Sequence, residues 1–356
     1  MKPDLAKARQ AGFGLIELML AMMLGLIVSA GAIVIFVAQR QVYSNASSQA
    51  LIQNADNALS AIITPVIRGA GFLGCGALGG TSATAYVANP RTPLTYDTSS
   101  AVQGYEASIV PPQIITGANN DTTASHWTPS LDASFASSGV SQGSDVLVLI
   151  GAQSDASPVG VTAFNTGSLS VNDISTLPAA PQMIAVSDCS KNAIFMATAI
   201  NSGSNTVSFT TGPNGALIFA SGSQLVPIQQ TALFIAKGDG SQNALWQGIM
   251  TGNPSSASWD MAEVIPGVSN MQVRYGIGNA GQATRYVNAS QVPSLGGWGA
   301  VTSIKLGFLI EGNLGSAQIP NGPMNYTLFD KTFSVPADSR LRHTFFMTVN
   351  TRNTTL

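Results

Sequence analysis

The sequence predicts an α+β protein in which one long N-terminal helix is followed by a mainly antiparallel β body with long loops. Two observations lead to this prediction. From Phe13 to Ala38 nearly every residue is apolar or small. Beyond Gly71 the chain changes to short apolar or alternating runs separated by Gly, Asn, Ser and Pro, which is the pattern of strands and turns.

The helix is predicted to run from Phe13 to about Ile63, a length of about 75 Å at the rise of an α-helix. Residues 13–38 are long enough to cross a bilayer, which takes about 20 apolar residues. An apolar stripe at helical spacing then continues, and it predicts that the second half of the helix packs on the body. Pro65 and the glycines of residues 69–71 mark the expected end.

The strands of the body are predicted from runs of β-branched, aromatic and other apolar residues between turn formers. These runs are residues 145–150, 182–186, 205–210, 232–236, 270–275, 303–310 and 344–349. Short and numerous strands of this kind favour an antiparallel body. Residues 76–143 and 151–180 are rich in Ser, Thr, Ala, Asn and Pro, so we expect long surface loops there with occasional strands. Asp239 and Gly240 are predicted to form a hairpin turn.

The chain has two cysteines, Cys75 and Cys189. A hydrophobic N-terminal segment preceded by basic residues indicates export to an oxidising compartment, and we therefore expect the two cysteines to form a disulfide. The alternative is a pair of unrelated buried thiols.

The composition argues against two classes of function. Charged residues make up 9% of the chain, the net charge is -2, and residues 92–190 contain no Lys or Arg. Direct nucleic-acid binding is therefore not indicated, because it needs a basic patch. Two isolated histidines and two cysteines expected to be oxidised provide no metal-ligand cluster, so no metal or cofactor is predicted.

Glu17 lies inside the apolar segment, where an unpaired carboxylate costs about 2.5 kcal/mol or more. A cleaved secretory signal, with its small-residue site at residues 30–32, disfavours a charge at this position. A plain signal anchor fits the length of the segment but leaves Glu17 without a role. The third interpretation is that Glu17 has a function in the membrane or in an assembly.

In this chain Gly12 is followed by the sequence FGLIE. These residues resemble the class III signal of type IV pilins. The resemblance implies that a prepilin peptidase removes residues 1–12 by cutting after Gly12 and then methylates the new N-terminus at Phe13. It also implies that Glu17 pairs with the N-terminal ammonium of a neighbouring subunit. Gly14 departs from the family, which usually has Thr or Ser there.

Four further segments resemble the PilW family of minor pilins, in the same order and at comparable spacing. They are IRGAGFLGCG, VSDCSKNAIF, VIPGVSNMQVRYGI and RLRHTFFMTVNTRN. In that family the two cysteines occur in these same contexts, which agrees with pairing of Cys75 and Cys189. Residues 276–282 depart from the many relatives that have an Asp-rich turn there, because this chain has no carboxylate in that stretch to hold a cation.

The resemblance implies a minor pilin, and not an enzyme, that takes part in pilus assembly or initiation within a tip or priming complex. It divides the chain into a leader at 1–12, a helix at 13–70 and an exported β-rich domain at 71–356. The implied partners are other minor pilins, the major pilin, the prepilin peptidase and a tip adhesin. The implied location is the inner membrane, with the body in the periplasm, and then the pilus or cell surface, where the pilus serves twitching motility, adhesion or DNA uptake.

Two alternatives remain at this point. A pseudopilin of a type II secretion system has the same leader and helix, and a membrane-tethered periplasmic enzyme or binding module would leave Glu17 without a role. Residues 139–143 match the G-x-S-x-G pattern of hydrolases, with His126 and His343 as candidate bases. However, a loop precedes Ser141 and a predicted strand follows it, whereas a nucleophile elbow needs the strand before the serine and a helix after it.

Two other groups have both an ordinary and a functional interpretation. A basic group near the C-terminus fits either an anionic partner or a guarded strand edge. Its members are Lys331, Arg340, Arg342 and Arg352. Three tryptophans fit core or loop anchors better than a sugar-binding platform, although their spacing does not decide between the two. They are Trp246, Trp259 and Trp298.

Overall fold

The structure is a computed structural model that describes most of the chain. The described residues are 14–78, 83–87, 100–108, 113–114, 120–153, 156–214, 217–240, 242–253, 256–279, 282–320 and 322–351. The predicted leader with its cleavage site at Gly12, the predicted N-terminus at Phe13, and Arg352 lie outside these residues.

The α+β fold class is confirmed by one long helix followed by a mostly β body. Helix α1 spans Leu15–Gly69, 55 residues, which corresponds to about 82 Å. The helix extends past Ile63 and through Pro65 and ends at Gly69, the first of the glycines predicted to end it, and the fully buried Ile67 holds the last turn against the body. The helix ends when Ala70 leaves helical dihedral angles, with φ -60° and ψ 131°.

The described strands of the body are short in its first half and longer in its second half. The first group is β1 (Ala83–Ala85), β2 (Val102–Ala107), β3 (Gln113–Ile114), β4 (Asn120–Asp121), β5 (Trp127–Thr128), β6 (Val140–Ser141), β7 (Val146–Ala152), β8 (Val159–Asn165) and β9 (Ser168–Val171). The second group is β10 (Gln182–Ser187), β11 (Asn192–Ala197), β12 (Ala199–Asn201), β13 (Thr206–Ser208), β14 (Gln224–Lys237), β15 (Asn243–Thr251) and β16 (Ser258–Pro266). The third group is β17 (Val268–Asn279), β18 (Gln282–Val287), β19 (Val301–Glu311), β20 (Met324–Leu328), β21 (Lys331–Val335) and β22 (Arg342–Asn350). Helix α2 spans Ala133–Ala136, and 3-10 turns span Ala124–His126, Ala289–Leu295 and Trp298–Ala300.

These strands form three sheets, and nearly all of their pairings are antiparallel, as the sequence predicts. The long strand β14 is the centre of a 15-stranded sheet and pairs with β7, β10 and β15 along different parts of its length. The second sheet has the order β18-β17-β19-β22, and the third has the order β20-β21-β3. Asp239 and Gly240 lie in the connection between β14 and β15, as predicted.

All seven predicted strands overlap observed ones, but two predictions about extent are corrected. The predicted strand at 205–210 is limited to Thr206–Ser208. The stretch 151–180 is less exposed than predicted, because β8 and β9 lie within it and bury Val159, Val161 and Leu169 in a second hydrophobic cluster of the large sheet.

The main hydrophobic core lies between the second half of α1 and the sheets. The buried residues of α1 follow one face of the helix at intervals of three to four positions. They are Ser48, Ile52, Ala55, Leu59, Ile63 and Ile67. They pack against side chains of β7, β16, β19 and β22, so the prediction that this half of the helix covers the body is confirmed.

The end of α1 is fixed to β7 by a close approach of two backbones. Ala70 forms an isolated antiparallel bridge with Gly151, and the amide of Gly71 donates to the carbonyl of Ile150 at 2.7 Å. A Cβ atom on Gly151 would overlap the carbonyl oxygen of Gly69 and lie 2.8 Å from Ala70 Cα. Only glycine fits at this contact without displacing the backbone of the helix end.

Substitution of Gly151 by Ala is therefore expected to lower the free energy of unfolding by about 2 kcal/mol, the usual cost of forcing atoms into a packed contact. Denaturant unfolding of the purified protein in detergent measures the change. Gly240→Ala is the matched control, because a Cβ atom there meets nothing within 4 Å. Equal stability of the two variants would contradict the assigned contact.

Candidate assembly surface on the N-terminal helix

The first half of α1 is exposed on all sides. Every residue from 14 to 43 is exposed in the isolated chain, including Leu15 at 81%, Ile16 at 80% and Tyr43 at 78%. An apolar helix with no partner is not stable in water, because it leaves a large hydrocarbon surface hydrated. This half of the helix therefore needs either a membrane or other helices around it.

The charges on α1 mark the limits of a span of membrane length. Between Glu17 and Arg40 lie 22 uncharged residues, which extend for about 33 Å along a helix. The hydrocarbon core of a bilayer is about 30 Å thick. Within the described residues α1 is the one helix long and apolar enough to cross a membrane, with a mean hydropathy of 2.7 over an 18-residue window.

Glu17 lies in the first turn of α1. Its amide donates to the carbonyl of Gly14 at 3.0 Å, which starts the helix without a capping side chain. The carboxylate is exposed, and among the described residues no cation is paired with it. It is free to accept a partner from outside the described part of the chain, and the predicted pairing with a neighbour's N-terminus stays a prediction.

The body first touches α1 through a loop that follows β19, which we call the junction loop (residues 312–320). Ser44 Oγ donates to the carbonyl of Gly315 at 3.0 Å, and Gln41 Nε2 approaches the same oxygen at 3.5 Å. Ser48 Oγ accepts from the amide of Asn313 at 3.2 Å. Three polar side chains on one face of α1 thus attach the body to the helix just beyond Arg40.

A second polar contact joins α1 to β22. Asp56 Oδ2 lies 3.8 Å from His343 Nε2. Burial raises the pKa of Asp56, and the nearby His343 offsets part of this effect. His343 thus contributes to the contact between helix and body.

The predicted disulfide is confirmed: Cys75 and Cys189 are bonded, with their Cα atoms 4.9 Å apart. Cys75 lies six residues beyond the end of α1, and Cys189 lies in the turn between β10 and β11, with φ 69°. The bond therefore attaches the segment that leaves the helix to the large sheet.

The turn that holds Cys189 is organised by Asp188. Its Oδ1 atom accepts hydrogen bonds from the amides of Ser190 and Lys191, both at 3.0 Å. Burial raises the pKa of Asp188, but the hydrogen bonds from Lys191 and Ser190 outweigh it and lower the pKa to about 2. The carboxylate is therefore ionised at neutral pH and stabilises the turn beside the disulfide.

The three sheets meet at a group of charged residues, which we call the inter-sheet cluster and in which Asp145 and Arg274 are buried while Asp330 is exposed. Its members are Glu106 of β2, Asp145 just before β7, Arg274 of β17, and Asp330 and Lys331 at the start of β21. Lys331 Nζ lies 3.4 Å from Glu106 Oε1 and 3.7 Å from Asp145 Oδ1. Arg274 pairs with Asp330 and approaches Asp145 Oδ2 at 3.9 Å.

Asp145 is the centre of this cluster. Its two oxygens accept hydrogen bonds from the amides of Ala107 and Val273, both at 2.9 Å, and so connect β2 to β17. Burial raises its pKa, while Lys331, the two amides and Arg274 offset part of this effect. The side chain is 3% exposed, so its ion pairs are shielded from solvent.

Substitution of Asp145 by Asn is expected to lower the free energy of unfolding by about 3 kcal/mol, because it removes the buried negative charge that lies beside both Arg274 and Lys331 and leaves each cation with one carboxylate. Thermal or denaturant unfolding of the detergent-solubilised protein measures the loss. Asp188→Asn is the matched control, since its pair with Lys191 is partly exposed and an exposed pair contributes up to about 1 kcal/mol. A loss no larger than that of the control would contradict a central role for Asp145.

The G-x-S-x-G match has a different context from a nucleophile elbow. Ser141 is 2% exposed in the short strand β6, and its Oγ accepts a hydrogen bond from Asn243 Nδ2 at 3.0 Å. The short helix α2 precedes Ser141 and strand β7 follows it. His126 is paired with Asp121, at 2.6 Å between Nδ1 and Oδ2. Among the described residues no group of three or more His, Cys, Asp or Glu side chains is arranged to hold a metal.

The described members of the basic group are divided between separate ion pairs. Arg342 binds Asp338 at 2.7 Å and Glu311 at 3.2 Å, and Arg340 lies 3.7 Å from the same Asp338. Lys331 belongs to the inter-sheet cluster instead. The three tryptophans are anchors in or beside the core: for example, the ring of Trp298 packs edge-on against Tyr275 at 4.9 Å.

Comparison with protein families agrees with the two parts of this architecture. The family model described as type IV pilus-assembly protein W matches residues 232–353, from β14 to the end of the body. The model described as the prokaryotic N-terminal methylation motif matches residues 7–33, which include the first turns of α1. No curated protein matches the chain.

A helix that is half exposed and apolar and half packed on a β body, with a methylation-motif match that includes its first turns, is typical of pilins with a class III prepilin leader. The two matches, over residues 232–353 and 7–33, support a type IV pilus-related minor pilin of this class. Within the class, the match over 232–353 supports the PilW family, a class of structural proteins. Two of the four segments that suggested this family, VIPGVSNMQVRYGI and RLRHTFFMTVNTRN, lie in the matched part.

Sequence reasoning missed two features of the site. The junction loop has no motif, although its run of uncharged residues with Leu314 and Ile319 is visible in the sequence. The inter-sheet cluster joins residues more than 200 positions apart, such as Glu106 and Lys331, so no local pattern indicates it.

Proposed function

We propose that this chain takes part in type IV pilus assembly or initiation, in a tip or priming complex with other minor pilins. One observation supports this proposal most directly: residues 14–43 expose apolar side chains on every face of α1 while the rest of the helix is packed on the body. Such a helix can exchange lipid for neighbouring helices, because both cover the same hydrocarbon surface.

Processing would occur at the junction between leader and helix. Residues 1–12 are the leader, 13–70 the helix and 71–356 the exported domain. Cleavage after Gly12 creates an ammonium at Phe13, which the peptidase then methylates. Glu17 neutralises the N-terminus of a neighbouring subunit, since a carboxylate in an apolar environment is stabilised by an opposite charge.

The location and partners follow from this mechanism. The subunit stands in the inner membrane with its body in the periplasm and then enters the pilus. Its partners are other minor pilins, the major pilin, the prepilin peptidase and a tip adhesin. The resulting pilus serves twitching motility, adhesion or DNA uptake.

The proposal is tested by intact mass and N-terminal sequencing of the protein extracted from membranes. We expect a chain that begins with a methylated Phe13. The matched control is Gly12→Val, which should keep residues 1–12 because the peptidase cuts after glycine. A mature chain that retains Met1, or one that begins near Ile33 after a secretory-type cleavage, would contradict the pilin mechanism.

The PilW match favours a pilus subunit over a secretion pseudopilin. Deletion of the gene distinguishes the two: the pilus subunit is required for surface pili, and the pseudopilin for release of secreted enzymes.

A further inference from the structure

The junction loop carries the two most exposed large apolar side chains of the described body. Leu314 is 66% exposed and Ile319 is 69% exposed. Residues 312–320 include no charged side chain. Two strongly exposed apolar side chains in one uncharged loop favour a surface that meets an apolar partner, because large exposed apolar patches are uncommon on soluble proteins.

The position of this loop along α1 identifies the partner. Gly315 accepts from Ser44 and Gln41, and Ser44 is the first residue of the helix that the body partly covers. Ser44 lies four residues beyond Arg40, or about 6 Å along the helix axis. The polar layer on each side of a bilayer core is about 5 to 8 Å thick. Among the described contacts between the body and α1, those of the junction loop therefore lie nearest the membrane.

Side chains of α1 at the same level fit a membrane interface. Arg40 can extend its guanidinium to the headgroups, as long cationic side chains do at the ends of membrane helices. Tyr43 is 78% exposed, and tyrosine is enriched where a helix leaves the bilayer. Leu314 and Ile319 extend this interfacial surface from the helix onto the body.

We propose that in the unassembled subunit the junction loop rests on the membrane, with Leu314 and Ile319 in the interface between headgroups and acyl chains. The loop is a second point of attachment besides the helix, and two points fix the tilt of the body relative to the membrane. Extraction into a pilus removes this contact together with the lipid around α1. The inference rests on the proposed function, because it requires α1 to cross a membrane.

The test uses the full chain in vesicles of phosphatidylethanolamine and phosphatidylglycerol. The two native cysteines are bonded to each other and have no free thiol to react with a label. A single cysteine introduced at an exposed site is therefore the one position that reacts with the fluorophore NBD. The labelled variants are Leu314→Cys, Ile319→Cys, the body control Ile218→Cys and the helix reporter Val28→Cys. Ile218 is an apolar residue that is 54% exposed. Lipids brominated near the headgroup end of their acyl chains quench NBD at the interface, and lipids brominated near the ends of the chains quench NBD at Val28, in the middle of the span.

We expect strong quenching at Val28 and several-fold more quenching at Leu314 and Ile319 than at Ile218. Quenching at Val28 with Leu314 and Ile319 equal to Ile218 would overturn this inference and leave the membrane helix intact. Lack of quenching at Val28 would overturn the membrane anchor itself, and this inference with it. A change in NBD emission at Leu314 and Ile319 that occurs only after other pilins are added, without quenching by the lipids, would show that the loop contacts subunits. That result would also overturn the inference.

Discussion

Replacement of Glu17 by Ala is expected to abolish surface pili while the protein is still made and inserted in the membrane. Insertion depends on the apolar run, and the 22 uncharged residues after Glu17 are already long enough to span a bilayer. The substitution lengthens this run, so insertion should not be impaired. Assembly instead loses the carboxylate that we propose to pair with a neighbour's N-terminal ammonium. An ammonium left unpaired at membrane depth costs about 2.5 kcal/mol or more, repeated at each interface that uses the pair.

The measurement is complementation of a strain that lacks the gene, with pili counted by electron microscopy and the protein quantified in the membrane fraction. Glu17→Asp and Glu17→Gln are the matched variants. Asp keeps the charge and should restore some pili, whereas Gln keeps the shape and should not. Normal pili with Glu17→Ala, at normal protein levels, would mean that Glu17 has no role in assembly.

The sequence predicts α1 well because its signal is local. An uninterrupted apolar run followed by a stripe at helical spacing determines the type, start and orientation of the helix. The helix ends at Gly69, one of the glycines predicted to end it, but it continues through Pro65, although a proline inside a helix usually kinks or breaks it. Here the buried residues Ile63 and Ile67 on both sides of Pro65 hold the last turn on the body.

Strands were predicted where apolar residues are consecutive or alternate with polar ones, and they were missed or shortened where polar residues break this pattern. Strand β14 extends over Gln224–Lys237, but only its second half has a continuous apolar pattern. Gln230 and Thr231 interrupt the pattern although they are 1% and 2% exposed, because pairing on both sides buries the strand. Strand β16 was missed because its charged residues, such as Asp260 and Glu263, disguise an edge strand.

The features of the candidate site were likewise predictable where they are local in sequence and not where they join distant residues. Glu17 and the methylation motif are local in sequence and were recognisable. The attachment of the body to α1 depends on contacts such as Ser44 with Gly315, which are 271 positions apart. These contacts exist only after the sheets have placed the junction loop beside the helix.

Loss of the Cys75–Cys189 disulfide is expected to lower the free energy of unfolding by about 4.7 kcal/mol, the chain-entropy estimate for a loop of about 100 residues. The bond closes a sequence separation of 114 residues. It connects the exit of α1 to the β10–β11 turn, so the reduced chain can lose the contact between the helix end and the large sheet. A stability loss of this size corresponds to a fall in Tm of about 10 °C or more.

The measurement compares thermal unfolding of the wild type, the reduced wild type, and the double variant Cys75→Ser/Cys189→Ser. The double variant and the reduced protein should agree, because both remove the cross-link, and the double variant in addition has no thiol that can form the bond again. Asp188→Asn distinguishes the contribution of the β10–β11 turn to stability from that of the disulfide, since it weakens the turn around Cys189 while the disulfide remains. If the double variant loses no more stability than Asp188→Asn, the helix exit is held by Ala70, Gly151 and the buried face of α1 alone. In that case the disulfide would add nothing to the hold on the membrane helix.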